Sequence, residues 1–182
     1  MKYFKYFFQF ILVIFIYFIF IILGVKISSF IGGKLFELIG PWFRSNKIIN
    51  KNIIKAFPDI DQSKLNNLKS SMWNNYGRVF AEYIFMKNFR NGNLSKNIII
   101  EGEEILNEIK NRNQKVIFIS GHFSNFELMA MQIDKLGIKI AAIYRPLNNI
   151  FLNNIMEKIR KKYICKNQIK KGIGGLKELI KL

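Results

Sequence analysis

The chain has 182 residues, half of them hydrophobic and 15% aromatic, which excludes wholesale disorder and suffices for one domain with an appended segment. Its 29 Lys and Arg against 12 Asp and Glu give a formal charge of +17, a balance that favours an anionic partner: nucleic acid, an acidic membrane surface or an acidic protein. The single cysteine, Cys165, rules out an internal disulfide; with no ligand cluster near it in sequence, it argues against a thiolate metal site and for a reduced compartment.

From Phe7 to Val25 the sequence is apolar except for Gln9, Tyr17 and Gly24. Those 19 residues would rise about 28 Å as a helix, close to the hydrocarbon thickness of a bilayer. Gly24-Val25-Lys26-Ile27 offers no small-residue cleavage site, so the run predicts an uncleaved anchor over residues 1–27 rather than a signal peptide. Lys2 and Lys5 precede it, whereas Lys26, Lys34, Arg44, Lys47 and Lys51 follow. That downstream excess predicts one crossing, with the rest of the chain in the cytoplasm.

Residues 28–58 interleave Phe30, Leu35, Phe36, Leu38, Ile39, Trp42 and Phe43 with Lys34, Arg44 and Lys47. This pattern suits an amphipathic segment at the headgroups and equally a core-packing helix; Gly40-Pro41 and Phe57-Pro58 interrupt it. Residues 59–182 carry the remaining domain. A helical period starts after Asp61 and runs through Leu65, Leu68, Met72, Tyr76, Val79, Phe80 and Tyr83. Asn97–Glu101, Val116–Ser120 and Ile138–Ile143 then read as strands, alternating with helices over Glu103–Arg112, Asn125–Leu136 and Asn148–Lys162. Ile173–Leu182 reads as the start of another helix. The alternation predicts an α/β layer with at least partly parallel strands. Such a sheet ordinarily continues, so further strands beyond Leu182 are expected.

Val116–Ser120 has the composition of a strand buried on both faces. Gly121 permits a turn after it, and His122 follows, the only histidine in the chain, with Glu127 five positions on. Residues i and i+5 of one helix lie off a common face. With His122 in the loop, the carboxylate can fold back to Nδ1–H and leave Nε2 free as a base, and Ser124 or Asn125 can cap the following helix. No Ser or Cys occupies a nucleophile elbow, so the simplest role for His122 is to deprotonate a substrate hydroxyl that attacks an acyl thioester directly. The bland alternative is a loop histidine with a structural hydrogen bond. Arg145 ends the third strand in Ile143-Tyr144-Arg145-Pro146-Leu147, where α/β folds place ligands. There it can hold an oxyanion or a phosphate, or simply be solvated.

At these residues the sequence resembles the lysophospholipid acyltransferase superfamily, whose signature is His-x-x-x-x-Asp or Glu. Within it, the bacterial lipid A biosynthesis (lauroyl/myristoyl) acyltransferases are the most similar. Gly-His-Phe-Ser-Asn-Phe-Glu at 121–127 is close to that family's Gly-His-Phe-Gly-Asn-Trp-Glu, and Tyr144-Arg145-Pro146-Leu147-Asn148-Asn149 to its Tyr-Arg-Pro-Leu-Lys-Asn. Ala56-Phe57-Pro58, Tyr76-Gly77-Arg78 with Glu82, and Gly172 are weaker echoes. The resemblance implies a glycerolipid-acyltransferase-like layered α/β fold with an amino-terminal transmembrane helix, in the bacterial inner membrane. Family members continue to a further strand ending in Asp-Gln, so the resemblance implies that this chain is an amino-terminal portion, incomplete at the carboxyl end.

The implied reaction moves a fatty acyl chain from acyl carrier protein to a hydroxyl of a lipid A precursor. His122 and Glu127 would be catalytic, Arg145, Asn125 and Ser124 would bind substrate, and no metal or cofactor is required. Other acceptors, such as a lysophospholipid or glycolipid, stay open, as does a nonenzymatic basic protein binding anionic lipid. The long apolar run and the lack of a compact nucleic-acid motif argue against nucleic acid.

Overall fold

The computed structural model describes residues 1–181. Its first helix, α1 (Lys2–Ile39), is interrupted at one residue: Gly24 takes φ +75° and ψ 167°, in the region that favours glycine. One turn upstream, the Phe20 carbonyl accepts a hydrogen bond from the buried Ser28 hydroxyl at 2.8 Å, so a polar group at the break is satisfied internally. The helix therefore continues well past Val25, where the apolar run suggested a span would end, and stops at Gly40-Pro41 in a short 3-10 turn. Two compact units divide the chain, Ile16–Ile84 and Met1–Phe15 with Phe85 onward.

Ile16–Ile84 is entirely helical in its regular structure. It holds α1 from Ile16 on, α2 (Asn46–Ala56) and α3 (Gln62–Glu82). Asp61 caps α3 by accepting the Lys64 amide at 2.8 Å. α1 and α3 meet through small residues: a Cβ on Gly32 or Gly77 would overlap the backbone carbonyl of the other. Phe80 fills the space beside them, with ring centroids 5.0 Å from Tyr17 and 5.3 Å from Phe36. Polar groups join the same two helices. Ser29 donates to Glu82 at 2.7 Å, and Arg78 donates to Ser29 at 3.3 Å and to Asn74 at 2.7 Å. Arg78 and Glu82, one turn apart on α3, thus meet through a serine of the neighbouring helix.

The second unit is mixed α/β and mostly helical. Its elements are the first turns of α1, α4 (Met86–Asn91), α5 (Glu103–Asn111), α6 (Glu127–Lys135), β1 (Ala141–Tyr144), α7 (Ile150–Tyr163), β2 (Asn167–Lys170) and α8 (Ile173–Leu179). β1 and β2 are parallel, with Ala141 opposite Asn167 and Tyr144 opposite Lys170, and α7 is the crossover between them. Met86, Met131, Ile133, Ile164, Cys165 and Ile169 form the core against this βαβ unit. Arg90 of α4 ties it together: it donates to the carbonyls of Tyr163 and Ile164 at 3.2 and 3.1 Å and pairs with Asp134 of α6 at 2.6 Å. Burial beside β2 pushes the Cys165 thiol up from its ordinary range, so this residue is packing rather than a reactive group.

Two expected strands are absent. Residues 98–101 follow a 3-10 turn, Ser95–Asn97, without regular structure, and Ile99 is exposed. Val116–Ser120 is likewise irregular, with Ile117 and Ile119 89% and 91% exposed instead of buried. A strand needs a neighbour to take up its amide groups, and among the described residues β1 and β2 pair only with each other. β2 was not foreseen: Asn167-Gln168-Ile169-Lys170 has no β-branched run, and it forms a strand because β1 offers it a ladder.

Candidate active site

The charged centre of the second unit is built on α6 and α7. Glu127 opens α6, where the helix dipole favours a carboxylate, and it is 6% exposed. Arg160 of α7 reaches its Oε1 with Nε at 2.9 Å and with a second, shorter guanidinium hydrogen bond. Both fall on Oε1. The Arg160 guanidinium also lies 5.4 Å from the centroid of the Tyr144 ring, at the end of β1. The Tyr144 hydroxyl donates to Glu157 at 2.9 Å, and Glu157 pairs with Lys161 at 2.7 Å and Lys170 at 3.7 Å. Burial, then the hydrogen bond to Glu157, pushes the Tyr144 phenol up to about 12. The hydrogen bonds from Lys161 and Tyr144 hold the Glu157 carboxyl below its ordinary value.

His122 lies in a different environment. It belongs to the exposed segment before α6, and its imidazole centroid is 4.2 Å from the Phe126 ring. No hydrogen bond joins it to Glu127 among the described residues, so the expected pair stands in one segment without being connected in this structure. Ser124, in the same segment, has φ +45°. Neither Ser124 nor Asn125 serves as the helix cap expected of them. α6 starts from Phe126 without a side-chain cap, and its first turn is closed by the Leu128 amide on the Asn125 carbonyl at 3.1 Å.

Arg145 is exposed immediately after β1. The loop that carries it is fixed from α7: the Leu147 amide donates to the buried Asn153 side chain at 2.9 Å. Asn149 caps α7 by accepting the Phe151 and Leu152 amides at 3.1 and 3.3 Å. The Lys170-Lys171-Gly172 stretch leads from β2 into α8, with Gly172 at φ +133°.

Sequence reasoning missed Arg160 because it stands in Glu157-Lys158-Ile159-Arg160-Lys161-Lys162, which reads as a solvated basic face. A signal was present. Asn153, Glu157, Arg160 and Ile164 recur at helical spacing, and this face turns inward.

Comparison with protein families places the chain among acyltransferases. It belongs to the bacterial lipid A biosynthesis acyltransferase family, whose model matches residues 1–182. The family's activity is acyl transfer onto a lipid A-like acceptor. No curated protein and no solved structure matched in the corresponding comparisons. The left-handed backbone at Ser124 gives a physical reason for the glycine at the corresponding position of the family motif, since glycine takes that conformation freely.

Proposed function

We propose that the protein transfers a fatty acyl chain from acyl carrier protein to a hydroxyl of a lipid A precursor, with His122 as general base. In this reading Nε2 of His122 removes the proton of the acceptor hydroxyl, whose oxygen attacks the thioester carbonyl. Arg145 stabilises the oxyanion or holds a substrate phosphate. The tetrahedral intermediate collapses, expelling the carrier thiolate, which recovers the proton from His122. Ser124 and Asn125 contribute to the acceptor site. Residues 59–182 supply the amino-terminal part of a layered α/β acyltransferase domain on the cytoplasmic side of the inner membrane, attached through residues 1–27. The net charge of +17 complements an acidic carrier and a phosphorylated glycolipid.

The observation that carries this reading is the state of Glu127. Its carboxylate is buried and held through Oε1 by Arg160, while Oε2 accepts no hydrogen bond among the described residues. That oxygen is available to receive Nδ1–H of His122, fixing the tautomer in which Nε2 is the base. Arg160 is then a positioning residue. The test is transfer of labelled acyl chain from acyl carrier protein to tetra-acylated lipid A precursor by membranes containing the protein. Label is expected in lipid A and lost in His122→Ala. Undiminished transfer by His122→Ala, or label appearing only in glycerophospholipid, would overturn the proposal.

A further inference from the structure

Among the described residues one helix, α1, is long and apolar enough to cross a membrane. Its last turns, in the unit Ile16–Ile84, have another character. There Lys34 and Glu37 face Ser71, Asn75 and Arg78 of α3 across a polar cleft of about 310 Å³. Arg78 belongs to the Tyr76-Gly77-Arg78 string and takes no part in the acyl transfer proposed above.

Donors and acceptors in this cleft do not balance. Both oxygens of Glu37 are engaged: Ser70 donates to Oε1, and Lys34 and Asn74 donate to Oε2 at 3.0 and 3.2 Å. The Asn74 side-chain oxygen is engaged too, by Arg78 Nε at 2.7 Å, and Arg78 Nη1 donates to Ser29 at 3.3 Å. Gly33 leaves room for this arrangement, since a Cβ there would lie 3.0 Å from the Asn74 amide atoms. Uncommitted among the described residues are Nη2 of Arg78, the Ser71 hydroxyl, the Asn75 amide and the remaining protons of the Lys34 ammonium. Two cations line the cleft against one carboxylate. Spare donors and an excess of positive charge suit a compact anion with several acceptor oxygens, and a guanidinium edge beside a lysine suits a phosphate. The margin of the cleft is apolar. Leu38 lies one turn from Lys34 on the same side of α1, and Trp42 follows where the helix ends; they are 72% and 82% exposed.

We propose that this cleft binds the phosphate of a lipid head group. Arg78 Nη2 and Lys34 take its oxygens, and Ser71 and Asn75 complete the hydrogen bonds. The apolar part of the lipid rests beside Leu38 and Trp42. The inference does not rest on the catalytic reading, since it concerns other residues and is read by binding rather than by transfer.

The test uses the full chain, immobilised in a maltoside detergent and offered radiolabelled phosphatidic acid, diacylglycerol or inorganic phosphate. Saturable binding of phosphatidic acid is expected, with inorganic phosphate held more weakly and diacylglycerol not retained. Arg78→Gln should weaken phosphatidic acid binding by roughly tenfold or more, the effect of losing a hydrogen bond between charged groups. Arg78 also holds Ser29 and Asn74, so a second variant separates binding from folding. The double variant Ser71→Ala with Asn75→Ala removes none of the hydrogen bonds that join α1 to α3; its affinity is expected to fall severalfold at an unchanged melting temperature. No saturable binding, equal retention of diacylglycerol, or undiminished binding by both variants would overturn the proposal. Inorganic phosphate bound as tightly as the lipid, and lost in the same variants, would overturn the lipid assignment and make free phosphate the ligand.

Discussion

The two halves of the candidate site differ in how the fold holds them. Glu127, Arg160, Tyr144 and Glu157 are linked across α6, β1 and α7, with both members of the Glu127–Arg160 pair largely buried. The segment from Val116 to Phe123 has no regular structure and little cover, and His122 has one aromatic neighbour. The carboxylate half is a structural member of the domain, whereas the histidine half is an exposed loop between α5 and α6. Substitution should therefore damage folding in the first and chemistry in the second.

The largest effect is expected in the loosely held half. His122→Ala should reduce acyl transfer by about 10²–10⁴-fold while leaving the melting temperature within about a degree of the parent, since an exposed loop side chain contributes little to packing. Transfer assays and calorimetry on one preparation would separate the two quantities. A parallel loss of stability would erase the contrast.

Arg160→Met should do the opposite. It leaves Glu127 buried without its cation, at a cost of about 3–5 kcal/mol in unfolding free energy, visible as a lower denaturation midpoint. Adding Glu127→Leu should restore much of that stability without restoring transfer. Such non-additivity is expected of a buried pair.

The rim of the network should respond to pH. The Glu157 carboxyl is held below its ordinary range in the fold, chiefly by the Lys161 and Tyr144 hydrogen bonds. Its stabilisation is thus present above the ordinary carboxylate range and is lost as pH falls through the lowered folded value. Denaturation midpoints of parent and Glu157→Gln should converge on acidification. The smallest change is expected at Ile119→Ser, within about 0.5 kcal/mol, because that side chain is 91% exposed; a large destabilisation would show that Val116–Ser120 is covered after all.

These contrasts also explain what was legible in the sequence. Helices α3, α5, α6, α7 and α8 were, because helical period and capping chemistry are local: Asp61 starts α3, and Asn149 starts α7 within two residues of expectation. The acyltransferase motif was legible as a linear string, His122 through Glu127, followed by Tyr144-Arg145-Pro146. Strand pairing was not, since it depends on neighbours: Val116–Ser120 has the right composition and no partner, while Asn167–Lys170 has an indifferent composition and a partner in β1. Arg160 was hidden for a related reason. Its class is polar, its position is inward, and only the packing of α7 on α6 distinguishes it from the lysines beside it.

Asn149 carries one more consequence. Its carboxamide serves two structures with its two ends: the oxygen receives the amides that begin α7, and the nitrogen reaches the first turns of α1. An isosteric change separates them. Asn149→Asp keeps an oxygen for the helix start, where aspartate is an equally good cap, but removes the N–H donors and sets a carboxylate against the Tyr6 carbonyl. Hydrogen exchange in that variant should quicken at residues 2–10 and stay slow in α7, making one amide group a latch that can be opened without disturbing its hinge post.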